Sequence, residues 1–167
     1  GAKAALQMAA KENISILYSR RNPLDVWISD MKHSKTGDTL LHYCKSIDPE
    51  CIAQHRSVRV QMPVGEELLG GLQWYEKGHK TVIELLNASR VRYMNLTYEE
   101  LYFGETADAW RKIFRFVGTG PTSVTRKQVN DAIISGHTNS RRQRDIVLNY
   151  DQVRETLMGT EFKELLH

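Results

Sequence analysis

Several features that would direct a reading are scarce in this sequence. It has only two cysteines, Cys44 and Cys51. The six residues between them match no zinc or dithiol spacing, so they read as packed or free thiols. With 4 Pro and 11 Gly in 167 residues, collagen-like repeats and Pro/Gly-rich disorder are excluded. No run approaches the roughly 18 to 20 consecutive apolar residues of a membrane-spanning helix; the apolar stretches are fragments such as 14–18. Charge of one sign is also scarce. The 23 Lys plus Arg against 20 Asp plus Glu leave a net +3, too little to argue for nucleic acid as a partner. Residues 1–11 are Ala-rich, with neither the apolar core nor the cleavage site of a secretory signal. The compartment is not identified by the sequence; a cytoplasmic location is favoured, with the Golgi lumen open if an anchor lies upstream.

What is present is ordinary globular material. With 41% apolar and 26% charged residues, the chain is expected to form a single domain over 1–167. A domain of this length buries roughly 70% of its unfolded surface and needs no metal or disulfide. Two local concentrations of arginine stand out: Arg20 and Arg21 after a strand-like run, and Arg141, Arg142 and Arg144 near the end. Two such clusters in a nearly neutral chain suggest a small anionic ligand.

The pattern predicts mixed α/β structure. Strong helix formers over 4–11 give a helix ending near Asn13, and the β-branched run 14–18 gives a buried parallel strand. Asn22 is a good N-cap, Pro23 suits the first helical position, and Asp25 stands where a carboxylate can bond back to the cap amide. Leu24, Trp27, Ile28 and Met31 then form the apolar stripe of a helix. Residues 34–65 are less periodic and read as an irregular insertion, with Val58, Val60 and Met62 alternating as in an extended segment. From Glu66 a helical rhythm is interrupted by Gly70, Gly71 and Gly78, predicting two helices or one kinked helix. A second strand is expected over 91–96, with Thr97 capping a short turn that contains Glu99 and Glu100. Trp110, Ile113, Phe114 and Val117 mark a helix stopped by Gly118. Thr122 or Ser123 is expected to cap a helix through Ile134, followed by a polar loop over 137–145 and a final helix starting around 149–151.

The chemistry concentrates in the junction 18–29. A strand delivers arginine to the mouth of a helix, whose free amides and dipole favour an anion. Ser29 lies two turns into that helix on the side of Asn22 and Asp25, where its hydroxyl can reach a group along that face. The spacing Arg21 to Ser29, with Asn22 and Asp25 between, resembles the 3′-phosphate-binding motif of sulfotransferases that use 3′-phosphoadenosine 5′-phosphosulfate (PAPS). Downstream, 96–101 (Leu-Thr-Tyr-Glu-Glu-Leu) resembles that family's Tyr-Glu-(Asp/Glu)-Leu element, and 110–118 its helix ending in Phe-(Leu/Val)-Gly. The segment 147–162 is similar to the C-terminal part of carbohydrate-type and bacterial-like members.

This resemblance implies a three-layer α/β/α domain with a parallel sheet, of phosphate-loop-transferase type. It further implies transfer of a sulfuryl group from PAPS to a hydroxyl or amine acceptor, leaving adenosine 3′,5′-bisphosphate. Arg21 and Ser29 would hold the 3′-phosphate, with Asn22 and Asp25 beside them, and Arg141, Arg142 and Arg144 would form a further nucleotide-contacting loop. The glycine-rich loop for the 5′-phosphosulfate, and the catalytic base, are expected upstream of residue 1. The stretch 34–40 echoes such a loop but follows the arginine motif, in the wrong order. The isolated chain is therefore expected to be inactive, and its catalytic residues are not identified. Residues 34–90 are expected to shape the side facing a small-molecule, lipid or carbohydrate acceptor.

Two alternatives remain open at this point: a truncated, non-catalytic nucleotide-binding module, and another phosphate-loop-fold transferase such as a small-molecule kinase. Glu99 and Glu100 suit a helix start and Leu101 a core position, so 98–101 reads as structural. His33, His42, His55, His79, His137 and His167 form no ligand-spaced pair, so no metal is expected. The glycosylation-like triplets at Asn13, Asn87 and Asn95 are explained by chance.

Overall fold

The structure, a computed structural model, describes residues 1–36, 50, 53, 57–102, 106–118, 120, 125, 127–128 and 142–167. The described residues are mostly helical, with one small two-stranded parallel sheet, and so of mixed α/β character. The chain divides into two compact units, each assembled from two separate stretches. The first contains Gly1–Arg21 and Glu76–Ile133; the second contains Asn22–Tyr75 and Ile134–His167.

The first unit begins with α1 (Ala2–Lys11), which ends as the sequence predicts. Asn13 takes the left-handed conformation at φ 55°, and the Ile14 amide turns back to donate to the Ala9 carbonyl at 2.8 Å. That closure spends the Ile14 amide on the helix and leaves the side chain 52% exposed. Strand β1 therefore runs over Ile16–Arg20, two residues later than hydrophobicity alone suggests. Its first inter-strand bond is from the Ile16 amide to the Arg92 carbonyl, 2.9 Å. β2 (Tyr93–Thr97) pairs with it in parallel, from Ile16 opposite Tyr93 through Arg20 opposite Thr97.

At the end of β2, Thr97 and Glu100 form a reciprocal capping box. The Thr97 amide donates to the Glu100 carboxylate at 2.7 Å, and the Glu100 amide donates to the Thr97 hydroxyl at 3.1 Å. This starts the short helix α4 (Tyr98–Tyr102); α5 (Thr106–Val117) follows and stops at Gly118, where φ is +73° and the amide bonds to Phe114. Leu96, Leu101, Ala109 and Ile113 form the core here, with Met94, Tyr102 and Trp110 packed against it. Further along, the start of a helix is capped by Thr125 and Gln128 in a second reciprocal box (2.9 and 3.2 Å), a Thr-x-x-Gln signal the sequence reading passed over. The caps expected for that helix, Thr122 and Ser123, lie outside the described residues.

The second unit opens with α2 (Pro23–Thr36). The Asn22 carboxamide oxygen accepts from the Leu24 amide at 2.9 Å and from the Asp25 amide at 3.4 Å, as an N-cap should. Leu24 and Ile28 are buried on its inner face. The glycine-punctuated segment forms one helix, α3 (Gly65–Ser89), whose residues up to Tyr75 belong to this unit and whose remainder belongs to the first. Val60 forms an isolated parallel bridge with Val147: its amide donates to the Ile146 carbonyl and its carbonyl accepts from the Leu148 amide. Asn149 extends the pairing by donating to the Met62 carbonyl at 2.8 Å and accepting from the Met62 amide at 3.0 Å.

Three further short pieces of the unit are described: α6 (Gln143–Ile146), α7 (Tyr150–Met158) and a 3₁₀ turn at Glu161–Leu165, capped by Thr160. The core gathers Leu24, Ile28, Val60, Met62, Leu68, Leu72, Ile146, Val147, Val153, Leu157 and Phe162. Each fully buried leucine among these is worth about 1.5–3 kcal/mol relative to exposure. Within the expected loop 137–145, residues 143–145 are helical, and 137–141 lie outside the described residues. Of the expected insertion, 37–49, 51–52 and 54–56 lie outside them too, as do Cys44 and Cys51.

Candidate functional site

In the first unit, the parallel register brings the ends of β1 and β2 level, so Arg21 and Tyr98 are the next residues out from the paired Arg20 and Thr97. The carboxyl ends of parallel strands are where open α/β sheets bind ligands. The Arg21 guanidinium carbon stands 4.7 Å from the centre of the Tyr98 ring, a cation–π contact. Tyr98 in turn packs on Tyr102, ring centres 4.5 Å apart.

The two neighbouring arginines are treated differently. Arg20 pairs with Glu76 at 3.5 Å, whereas Arg21 has no carboxylate partner among the described residues. The Nε of Arg21 is buried and without a hydrogen-bond partner among them. A buried, charged donor left unmatched is costly, and the Nε–H and Nη–H edge of a guanidinium is shaped for two oxygens of a phosphate or carboxylate. An oxyanion is the kind of partner such an edge takes.

Beside it, on the face of β1 that carries Tyr18 and Arg20, the Tyr18 hydroxyl lies 3.0 Å from His79 Nδ1, and the two rings stack at 5.5 Å with planes 10° apart. Desolvation holds the His79 pKa below its ordinary value, the Arg20 charge adds to the depression, and Glu76 partly opposes it. A neutral His79 can accept the Tyr18 proton at Nδ1; a protonated one cannot. This pair carries no sequence signal, because it depends on a strand facing a helix that begins many residues later.

The other expected site residues lie in the second unit. Ser29 is half-buried on α2 and has no hydrogen-bond partner among the described residues. Arg21 and Ser29 are therefore not united within either unit. Asp25 departs from its expected capping role: its carboxylate does not return to the Asn22 amide but accepts from Gln143 Nε2 at 2.9 Å and lies 3.6 Å from His167 Nε2.

Gln143, 2% exposed, is the hub of this cluster. Its Nε2 also faces the Leu165 carbonyl at 2.8 Å, and its Oε1 accepts from the His167 amide at 3.4 Å. Asn22 Nδ2 donates to the same Leu165 carbonyl at 2.8 Å. Asn22 and Asp25 are thus engaged in fastening the start of α2 to the segment 143–167. A buried glutamine inside an arginine-rich polar stretch carries no periodic signal, which is why this hub was not anticipated.

Arg142 and Arg144 are both exposed; Arg141 lies outside the described residues. Arg144 borders an open groove of about 740 Å³, with Gln61, Asp145, Tyr150 and Asp151 also on its walls. Among the described residues, no group of three His, Cys, Asp or Glu side chains is placed to hold a metal ion, and no helix is long and apolar enough to cross a membrane. Comparison with protein-family models, curated proteins and solved structures finds no match to this chain.

Proposed function

We propose that this chain supplies the 3′-phosphate-binding part of a PAPS-dependent sulfotransferase, set in a three-layer α/β/α, phosphate-loop-type frame. The observation that carries the reading is the state of Arg21. It follows directly on a parallel strand and, among the described residues, pairs with no carboxylate and leaves its buried Nε–H unmatched. It also meets Tyr98, so two sequence elements singled out for their likeness to this family come together at one point.

In this reading Arg21 holds the 3′-phosphate through charge-assisted hydrogen bonds. Asn22 fixes the start of α2 through its cap, and Asp25 fixes the same end through Gln143. Arg142 and Arg144 are solvent-facing cations, and their assignment to a nucleotide-contacting loop is carried by the resemblance. Anchoring the nucleotide by its 3′-phosphate places its 5′ end for in-line transfer to a hydroxyl or amine acceptor; these residues position the donor and take no part in bond cleavage. Their loss therefore affects binding more than the chemical step.

Titration of the purified chain with adenosine 3′,5′-bisphosphate, 5′-AMP and ATP tests the reading. The bisphosphate is expected to bind in preference to the two nucleotides that lack a 3′-phosphate. Arg21→Ala is expected to weaken the bisphosphate about tenfold or more while leaving 5′-AMP unchanged. No binding, no preference, or an unaltered affinity in the variant would each refute it; preference for ATP would point to a kinase-like transferase instead.

A further inference from the structure

We infer that Tyr98 is a positioning residue of this anion site: its ring holds the Arg21 guanidinium in place for the 3′-phosphate. The inference rests on the function proposed above and extends it to a residue that the sequence reading treated as part of the frame.

The Arg21 guanidinium carbon lies over the Tyr98 ring, 4.7 Å from its centre. An aromatic ring attracts a cation through its π face and brings no oxygen acceptor, whereas a carboxylate partner would take up N–H donors and neutralise the charge. Arg20 shows the contrast one residue earlier, because its Nη2 lies 3.5 Å from a Glu76 carboxylate oxygen. The ring thus holds an arginine in place without neutralising the charge that an anionic ligand needs.

The ring is itself held from several sides. The strand register sets Tyr98 level with Arg21, the Thr97–Glu100 capping box fixes the turn on which Tyr98 stands, and Tyr102 packs against the ring. A long side chain that would otherwise sample many rotamers is thereby ordered before the ligand arrives, and pre-organisation of this kind raises affinity.

The test is a double-mutant cycle in the full chain, reading affinity for adenosine 3′,5′-bisphosphate with 5′-AMP as the control. Tyr98→Leu is expected to weaken the bisphosphate about three- to tenfold and leave 5′-AMP unchanged. Tyr98→Phe keeps the ring and is expected to stay close to wild type. In an Arg21→Ala background, Tyr98→Leu should cause no further loss. If Tyr98→Leu does not fold cooperatively, Tyr98→Met keeps the bulk without the ring. In the unsubstituted chain, an upfield ring-current shift of the Arg21 Cδ protons reports the contact directly, and its absence overturns the inference. An unchanged affinity in Tyr98→Leu, or an equal loss with and without Arg21, also overturns it. If Arg21→Ala weakens the bisphosphate and Tyr98→Leu does not, this inference fails while the proposed function stands. If Arg21→Ala has no effect, the proposed function itself fails.

Discussion

The neighbouring glycines of α3, Gly70 and Gly71, should respond oppositely to the same substitution. Replacing glycine by alanine inside a helix gains about 0.8–1.0 kcal/mol of intrinsic propensity. At Gly70 nothing lies within 4 Å of the added Cβ, so Gly70→Ala should realise that gain. At Gly71 the added Cβ would lie 2.2 Å from two carbons of the Trp27 ring and 3.1 Å from a third. Carbon atoms in contact prefer about 3.5–4.0 Å, so the indole or the helix must shift by more than an ångström. Trp27 packs against the main core of its unit, and forced overpacking of this kind costs about 1–3 kcal/mol. Gly71→Ala should therefore range from neutral to about 2 kcal/mol destabilising, leaving the two variants about 1–3 kcal/mol apart. Urea unfolding followed by circular dichroism measures the difference as a shift in midpoint at constant slope. Trp27→Leu in the Gly71→Ala background should recover part of the loss, a coupling that independent sites would not show. Equal stabilisation by both alanines would refute the close approach of helix and indole.

Two further perturbations probe other parts of the frame. Asn149→Ala removes both bonds to the backbone of Met62, a residue only 2% exposed, and should destabilise by about 2–4 kcal/mol. Faster hydrogen exchange at the Met62 amide is expected with it, and unchanged protection would argue against the clamp. His79 has a depressed pKa, so across the window from about 6.5 downward the unfolded chain binds the extra proton first. Its contribution to stability is thus fully present above that range and is lost as pH falls through the folded-state value. A histidine titration followed by NMR should give a midpoint below 6.5, and His79→Gln should flatten the acid-side slope of stability; a midpoint at or above 6.5 would contradict the arrangement.

Local chemistry was readable where a single segment carries its own instruction. Asn22, Thr97 and Gly118 act at the helix ends their identities suggest, and Leu24 and Ile28 occupy the buried stripe their spacing suggests. The parallel pairing of the two strands was readable as well. Their boundaries were not, because the left-handed turns at Asn13 and Arg90 consume residues that hydrophobicity assigns to the strands. The glycines of α3 mislead for a related reason: the helix continues through them, and one of them makes room for a ring from another segment. At the candidate site, Arg21 stood out in the sequence because it follows a strand, but its contact with Tyr98 depends on strand register, and the role of Gln143 depends on a buried cluster drawn from three places in the chain.

The interleaving of the two units bears on how the chain is made. Residues 22–75 leave the ribosome well before 134–167, so the carboxamide of Asn22 has no Leu165 carbonyl to bind, and Asp25 no Gln143, until synthesis has passed those positions. Vectorial synthesis therefore holds an early helix with an open polar end while the other unit receives its last stretch, 76–133. Pairings this distant in sequence are slow to close, so the polar end of α2 is the part of this unit that is fastened last.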